Sequence, residues 1–552
     1  MKVKEINYLA KILIFGVMTI TLIITPGLNK ESLVIPKVIV FFCLALYLVP
    51  TILKSLKGSL TDPYIKKLTI LVFLLLIDGI LILLNSISPI EQLLFGRSGR
   101  AMGFITFISF IIILLASSII IKFAHTKILL KAIVAAGLVT SFYSCIQFFG
   151  LDIFKWSSKT NGIIGTLGNP NSQSSFAAMI LIPTVVILWT SKYKWLLVPV
   201  TVLALLFTLY ISQSTQGYIS AISSTLAITL IFLWYRNKVT FFILTVFSTI
   251  SGIVAVSGML GHGPFSYYLY KTSVQSRGDF WRSAITTGNS HPIFGVGFDS
   301  FGDYMLKYRD QVAVSHPFAE FADSAHNFYL DYLATGGYVF LLLNILLTLF
   351  VLRAFLVLQR NKNAFDKHLA ALFCTWLIIQ LQAMINTQTL AFVSWNALIS
   401  GAVIGMAGTS TQLSRSTVEI NAQREKLKNS NLFGSILLII GLIIMFPYFN
   451  NDRLTVKANN SGNGDLLIRA TTAYPEFTLK YSQASQALLE SGLPAQSLFL
   501  ARKGVEFNPN SVSLWALILA NPTAPIEDRQ IAKSKLLELD PLNNEVKAYP
   551  IQ

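Results

Sequence analysis

The sequence predicts an all-α fold: a polytopic bundle of about 12–13 transmembrane helices, with a large external loop and a small helical-repeat domain at its C-terminus. Three observations carry this. Of the 552 residues, 53% are hydrophobic and only 12% are charged. The apolar residues gather into runs of about 17–25, the length that crosses a bilayer as a helix. From residue 450 onward these runs give way to a mixed composition with helical spacing.

Taken in order, the runs lie near 8–25, 33–53, 68–84, 103–121, 128–149, 172–190, 195–212, 216–234, 240–260, 328–352, 369–390, 392–408 and 432–449. The first lacks a small-residue cleavage site and is followed at once by another span, so it reads as a helix and not as a removed signal. Cys43, Cys145 and Cys374 fall inside runs, at spacings that suit neither a disulfide nor a metal, and read as small apolar fillers.

Lysine and arginine set the orientation. Lys2 and Lys4; Lys54, Lys57, Lys66 and Lys67; Lys122 and Lys127; Lys192 and Lys194; Arg236 and Lys238 occupy alternate loops. Arg353, Arg360, Lys362 and Lys367, then Arg415, Arg424, Lys426 and Lys428, continue the alternation. All fall on one side if the N-terminus is cytoplasmic, which puts the C-terminus outside the cytoplasmic membrane. The formal charge of +17 is then mainly an orientation signal, and no nucleic-acid partner is expected. Arg97, Arg100, Lys155, Lys159, Lys271, Arg277 and Arg282 sit in external loops, where basic residues suggest an anionic ligand or lipid headgroups.

Four parts follow from the pattern: N-terminal spans at 1–67, a membrane domain at 68–408 that includes the external loop 261–327, a cytoplasmic loop and last span at 409–449, and an extracytoplasmic helical domain at 450–552. The external loop is polar and rich in glycine and aromatic residues, and loops of that length are usually functional. In the tail, Tyr474-Pro475-Glu476, Asn508-Pro509-Asn510 and Asp540-Pro541-Leu542 place prolines 34 and 32 residues apart. That period resembles tetratricopeptide repeats. Two units are few for a free solenoid, so the membrane body or a protein partner is expected to cap them. Lys457–Gly464 is polar and reads as a flexible linker.

The chemistry gathers in external motifs. Phe95-Gly96-Arg97-Ser98-Gly99-Arg100-Ala101-Met102-Gly103 comes first, then Gly165-Thr166-Leu167-Gly168-Asn169-Pro170-Asn171. Ser276-Arg277-Gly278-Asp279-Phe280-Trp281-Arg282 leads to His291-Pro292-Ile293-Phe294-Gly295-Val296-Gly297, and His326-Asn327 opens the span that carries Gly336-Gly337. In this order and topology the set resembles the O-antigen ligase and polymerase family, membrane enzymes that move glycans from undecaprenyl pyrophosphate. The resemblance runs from about residue 70 to 405. One departure stands out: Ser214-Thr215-Gln216-Gly217 has a glutamine where the family commonly has an arginine for the pyrophosphate. Gln216 can donate hydrogen bonds but adds no charge.

The resemblance implies a glycosyltransferase on the outer face of the membrane, taking a lipid-linked glycan donor and an acceptor hydroxyl. A base with a pKa near 6.5 suits activation of that hydroxyl, and His326 is the candidate. Arg277 is the first candidate for gripping the pyrophosphate, with Arg282, Arg100 and Gln216 beside it. Asn327, Asn169, Asn171 and Trp281 are expected to shape the site. Phe280, Trp281, Tyr267, Tyr268 and Tyr304 suit either sugar stacking or an interfacial belt. The donor carries its own activation, so no cofactor is expected. Gly295-Val296-Gly297 lacks the helix start of a dinucleotide site, and the six histidines have no metal-ligand spacing.

A transporter or flippase is the alternative from another class, though Asp78 is nearly alone as a charge inside a span. Within the favoured family, ligation to lipid, polymerisation and transfer to a protein hydroxyl all remain open. The repeat tail favours a protein partner or acceptor.

Overall fold

The computed structural model describes residues 3–154, 156, 163–270, 272–316, 321–361, 364–411 and 428–551. Lys2, Lys155, Lys159, Lys271, Lys362, Arg415, Arg424 and Lys426 lie outside them. Among the described residues the chain forms helices and no strand. Eleven helices are long and apolar enough to cross a membrane, and two shorter apolar ones, Ile6–Leu22 and Phe104–Ile120, accompany them. Each hydropathy run coincides with one of these, as expected where hydrocarbon leaves the backbone no partner but itself.

Leu390–Thr411 is the most enclosed span, and 94% of its most apolar window is buried. It packs on Phe104–Ile120 through Gly401 and Gly405. A Cβ there would lie 2.1 Å from the Leu114 carbonyl oxygen and 2.0 Å from that of Ser118, so only glycine admits this approach. At the other extreme, Lys238–Met259 has none of its window buried and presents Phe242, Phe247 and Ile250 outward.

The loop 261–327 has more structure than its composition suggests. It contains a 19-residue helix, Thr272–Ser290, and the short helices Phe301–Tyr304 and Gln311–Ser315. Phe280, Ala284, Phe301, Met305, Ala322 and Ala325 give it a small core of its own. A backbone joint ties it to the bundle. The helix Phe328–Arg360 breaks at Gly337 (φ 75°, ψ −172°), which frees carbonyls of the preceding turn. Val296 and Gly297 donate their N–H groups to the Ala334 and Thr335 carbonyls, both at 2.9 Å, and Tyr338 N–H returns a bond to Pro292 at 2.8 Å. A Cβ on Gly295 would meet the Thr335 carbonyl carbon at 2.3 Å, and one on Gly337 the Pro292 oxygen at 2.5 Å. The two glycine motifs are the halves of one contact.

The last span does not end in a flexible linker. Lys428–Ser461 is one helix of 34 residues, about 51 Å at 1.5 Å per residue, and Lys457–Ser461 is its end. Its backbone continues because neighbours hold it: Asn451 donates to the Pro475 carbonyl at 2.7 Å, and Lys480 reaches Asn451 at 3.0 Å and Asp452 at 3.5 Å. Beyond it, Thr478–Glu490, Pro494–Phe507, Val512–Ala520 and Ile526–Leu539 stack in sequence around Tyr481, Leu500, Leu514 and Leu536.

This helical tail rests on the body at all three proline corners. Tyr474 meets Phe95 edge-on at 6.3 Å. Asn508 donates to Asp303 at 3.1 Å, and Asn510 to the Tyr304 hydroxyl at 3.2 Å. Asp540 takes both ends of the Arg309 guanidinium at 3.0 and 2.8 Å, with side chains only 10% and 3% exposed. Phe477 belongs to the core of the membrane body itself. Asp540→Ala strands a buried guanidinium and should cost about 3 kcal/mol. The expected result is a lower melting temperature for purified protein, partly restored in the Arg309→Ala/Asp540→Ala double variant. Unchanged melting in the single variant contradicts a tail locked to the loop.

Candidate active site

The arginine loop after the helix Ile90–Phe95 is fixed by aspartates that lie some two hundred residues further on. Gly96 takes a positive φ of 84° and turns the chain, so that Arg97 N–H donates to Asp299 at 2.7 Å and its guanidinium meets Asp303 at 3.0 Å. Arg100 lies between Asp299, Asp323 and Asp331 at 3.3, 3.6 and 3.7 Å, and donates to the Asp323 carbonyl at 2.7 Å. Burial opposes its charge, yet the three carboxylates hold its pKa above the ordinary arginine value. Arg100 is therefore already matched and acts as a hub of the scaffold.

That hub positions His326. Asp331 accepts from the Ser324 hydroxyl at 2.7 Å and from Ala325 N–H at 2.8 Å, and Ser324 in turn accepts from His326 N–H at 3.1 Å. Asn327 caps the following helix, accepting from Tyr329 and Leu330 N–H at 3.1 and 3.3 Å. Between these two anchors His326 is held at φ 51°. A left-handed non-glycine residue stores about 1–3 kcal/mol and survives only where its surroundings over-determine it.

The ring is half-buried and stacks on Phe280 at 5.6 Å. Its Nδ1 is buried without a partner, while the Asn386 side chain hydrogen-bonds the ring. Burial, then the nearby charges of Arg277 and Arg100, bring the pKa down to about 4, against the opposing pull of Asp323 and Asn386. This corrects the expectation of an ionisation near neutrality. The imidazole is neutral throughout the physiological range.

Arg277, on Thr272–Ser290, is half-buried, and burial lowers its pKa. Among the described residues no carboxylate lies within ion-pair distance of it. A guanidinium stays charged regardless, so this is a partly desolvated cation beside the His326 ring, with no counter-ion among the described residues. Arg282 differs. Five positions further on, about 140° round the helix, it is engaged by Asp279 at 2.6 Å and Asp310 at 2.5 Å, and is not free for a phosphate.

The other expected residues divide. Gln216 is buried, donates to the Ile385 carbonyl at 3.3 Å, and leaves its Oε1 without a partner. Since Ile385 precedes Asn386, Gln216 belongs to the His326 neighbourhood. Asn171 accepts from the Ser214 hydroxyl at 2.7 Å, which ties the Gly165–Asn171 turn to the Gln216 turn, and Asn169 caps the helix Pro170–Leu188. Trp281 packs against the loop core, and its indole N–H is buried and unpartnered. Tyr304 is 6% exposed and meets His291 edge-on, whereas Tyr267 and Tyr268 are wide open at 88% and 77%.

Composition gave no hint of the stretch from Gln382 to Thr389. Both amide atoms of Gln382, the amide nitrogens of Asn386 and Gln388 and the Thr389 hydroxyl are buried without partners. Buried polar groups in a folded chain are normally satisfied, so the open ones nearest Gln216 and His326, on Gln382 and Asn386, suit a ligand rich in hydroxyls and phosphate oxygens. The only sequence signal was an unusually polar end to an apolar run.

Residues 200–345 match the family model described as O-Antigen ligase. That interval contains Gln216, Arg277 and His326, together with the glycine joint. No curated protein matches the chain.

Proposed function

We propose, from the premise that this chain is a member of the O-antigen ligase family, that it transfers a glycan from undecaprenyl pyrophosphate to an acceptor hydroxyl. The family accounts for glycan transfer in an integral membrane protein. Donor, acceptor, face and residue roles are our reading. The observation that carries it is the pairing of Arg277, a half-buried cation with no carboxylate within ion-pair distance among the described residues, with the neutral His326 ring.

In this reading Arg277 holds the pyrophosphate through paired N–H donors and stabilises the charge that grows as the C1–O bond to phosphate breaks. The Asn386 contact leaves the Nδ1 lone pair of His326 as acceptor, and it takes the proton of the attacking hydroxyl. The new C1–O bond forms as the lipid pyrophosphate leaves, and the proton stays on the ring until product departs. The open amides of Gln216, Gln382 and Asn386 are placed to receive sugar hydroxyls. The aspartates near the site are occupied by Arg97, Arg100 and Arg282, which favours a reaction that needs no metal.

We place this site on the outer face of the cytoplasmic membrane, with the N-terminus inside and the tail outside, on the alternation of basic residues. A reporter active only in the cytoplasm and fused after Gln552 should be silent; activity there means an odd number of spans was misread. Purified protein in detergent should transfer glycan from the lipid-linked donor with no gradient and in the presence of a chelator. Movement of intact donor without bond cleavage would instead indicate a transporter.

A further inference from the structure

A second cavity, of ≈ 370 Å³, opens on the other side of Arg100, between the start of the helix Ile35–Ser59, the Gly165–Asn171 turn and the Thr387–Leu390 segment. Neither Arg277 nor His326 lines it. Lys37 does, in the first turn of its helix, and is 3% exposed. Its ammonium donates to the Thr166 carbonyl, and no carboxylate pairs with it among the described residues. An ammonium has three donors, so two remain.

The other polar groups on the cavity wall are mostly donors too. Gln388 Nε2 and the Thr389 hydroxyl are buried with no partner, and Asn169 and Lys30 also line the cavity. Glu31 is the one carboxylate lining the cavity among the described residues: Ser98 bonds one oxygen, and the other is buried and bare. Burial, with Asp452 nearby, pushes the pKa of Glu31 up, which weakens its opposition to an anion. A buried lysine without a counter-ion is costly to fold around, because its amino group must hold an uncompensated charge or give up its proton. Keeping one at a cavity full of unspent donors makes sense if an anion fills it.

We infer that the cavity lined by Lys37, Lys30, Asn169, Gln388 and Thr389 binds a phosphate group, separately from the Arg277–His326 site. The phosphate has two possible carriers, the lipid-linked donor or a water-borne phosphorylated acceptor. Only the choice of carrier rests on the function proposed above.

The test uses full-length protein in detergent and measures binding of undecaprenyl pyrophosphate and of inorganic pyrophosphate to wild type, Lys37→Met and Lys37→Arg. Methionine keeps the shape and removes the charge. Lys37→Met should weaken binding at least tenfold and raise the melting temperature, because a buried charge without a partner is removed. Lys37→Arg should keep most of the affinity. Weaker binding of the lipid form assigns the cavity to the donor. Weaker binding of inorganic pyrophosphate alone assigns it to a water-borne phosphate. Unchanged binding of both probes overturns the proposal. So does a fall in melting temperature with no rescue by arginine, which would make Lys37 a structural contact to Thr166. If His326→Ala kept full transfer activity, the catalytic reading would fail while the Lys37 binding result stood.

Discussion

Replacing His326 by alanine is expected to lower glycan transfer by about 10²–10⁴-fold while leaving donor binding in place. The loop should remain folded, since Asp331, Ser324 and the Asn327 cap act through the backbone and not through the ring. Alanine keeps the strain of φ 51° that the histidine already bears, and a glycine variant should be more stable. The pH dependence is more distinctive. With the ring pKa lowered to about 4, kcat/KM of the wild type should stay flat from neutrality to below pH 5 and fall only as the free enzyme's histidine protonates. Bound pyrophosphate offsets the charge of Arg277, so the corresponding fall in kcat should come at higher pH. The sign for stability is the same: a histidine whose folded pKa lies below 6.5 loses stability as pH falls from there toward 4. Full activity in His326→Ala moves the search to His291 or His316.

Arg277→Lys should cost about 10²–10³-fold in transfer although it keeps the charge. An ammonium cannot reproduce the paired donors of a guanidinium, and the uncharged Gln216 offers no second cation. Arg277→Met adds a readout on the neighbour. Arg277 is the second cause, after burial, of the lowered His326 pKa, so its removal should shift the acid limb of kcat/KM upward. Loss of activity without that shift would separate the two residues. Wild-type turnover in Arg277→Lys would make Arg277 an ordinary surface charge.

The membrane architecture was legible because hydropathy acts locally: every run of apolar residues became a helix, down to the short Phe104–Ile120. Motif order pointed to segments that the fold brings together, yet not to the contacts of each residue. Arg100 looked like a phosphate ligand because Asp299, Asp323 and Asp331 reach it from far along the chain. The partner of Arg282, by contrast, was in plain view: Asp279 sits three positions before it on one helix face. Gly295 and Gly337 read as separate turn and span features. Their purpose, a backbone joint, exists only once the loop packs into the broken helix. Lys457–Ser461 looked flexible by composition and is helical because Asn451, Asp452 and Lys480 hold its base against the tail. Asn386 and Gln388 showed only as a polar end to an apolar run, since single amides at the end of a span are common.

The proposed transfer is a single displacement at the anomeric carbon, with His326 as base and the lipid pyrophosphate as leaving group. One attack from the face opposite the departing phosphate inverts that carbon, whereas a covalent glycosyl-enzyme would return the original configuration after two inversions. The decisive measurement is the anomeric configuration of the product linkage, determined by NMR on glycan transferred by purified protein from a donor of known configuration. Inversion is the expected outcome. Retention would contradict it.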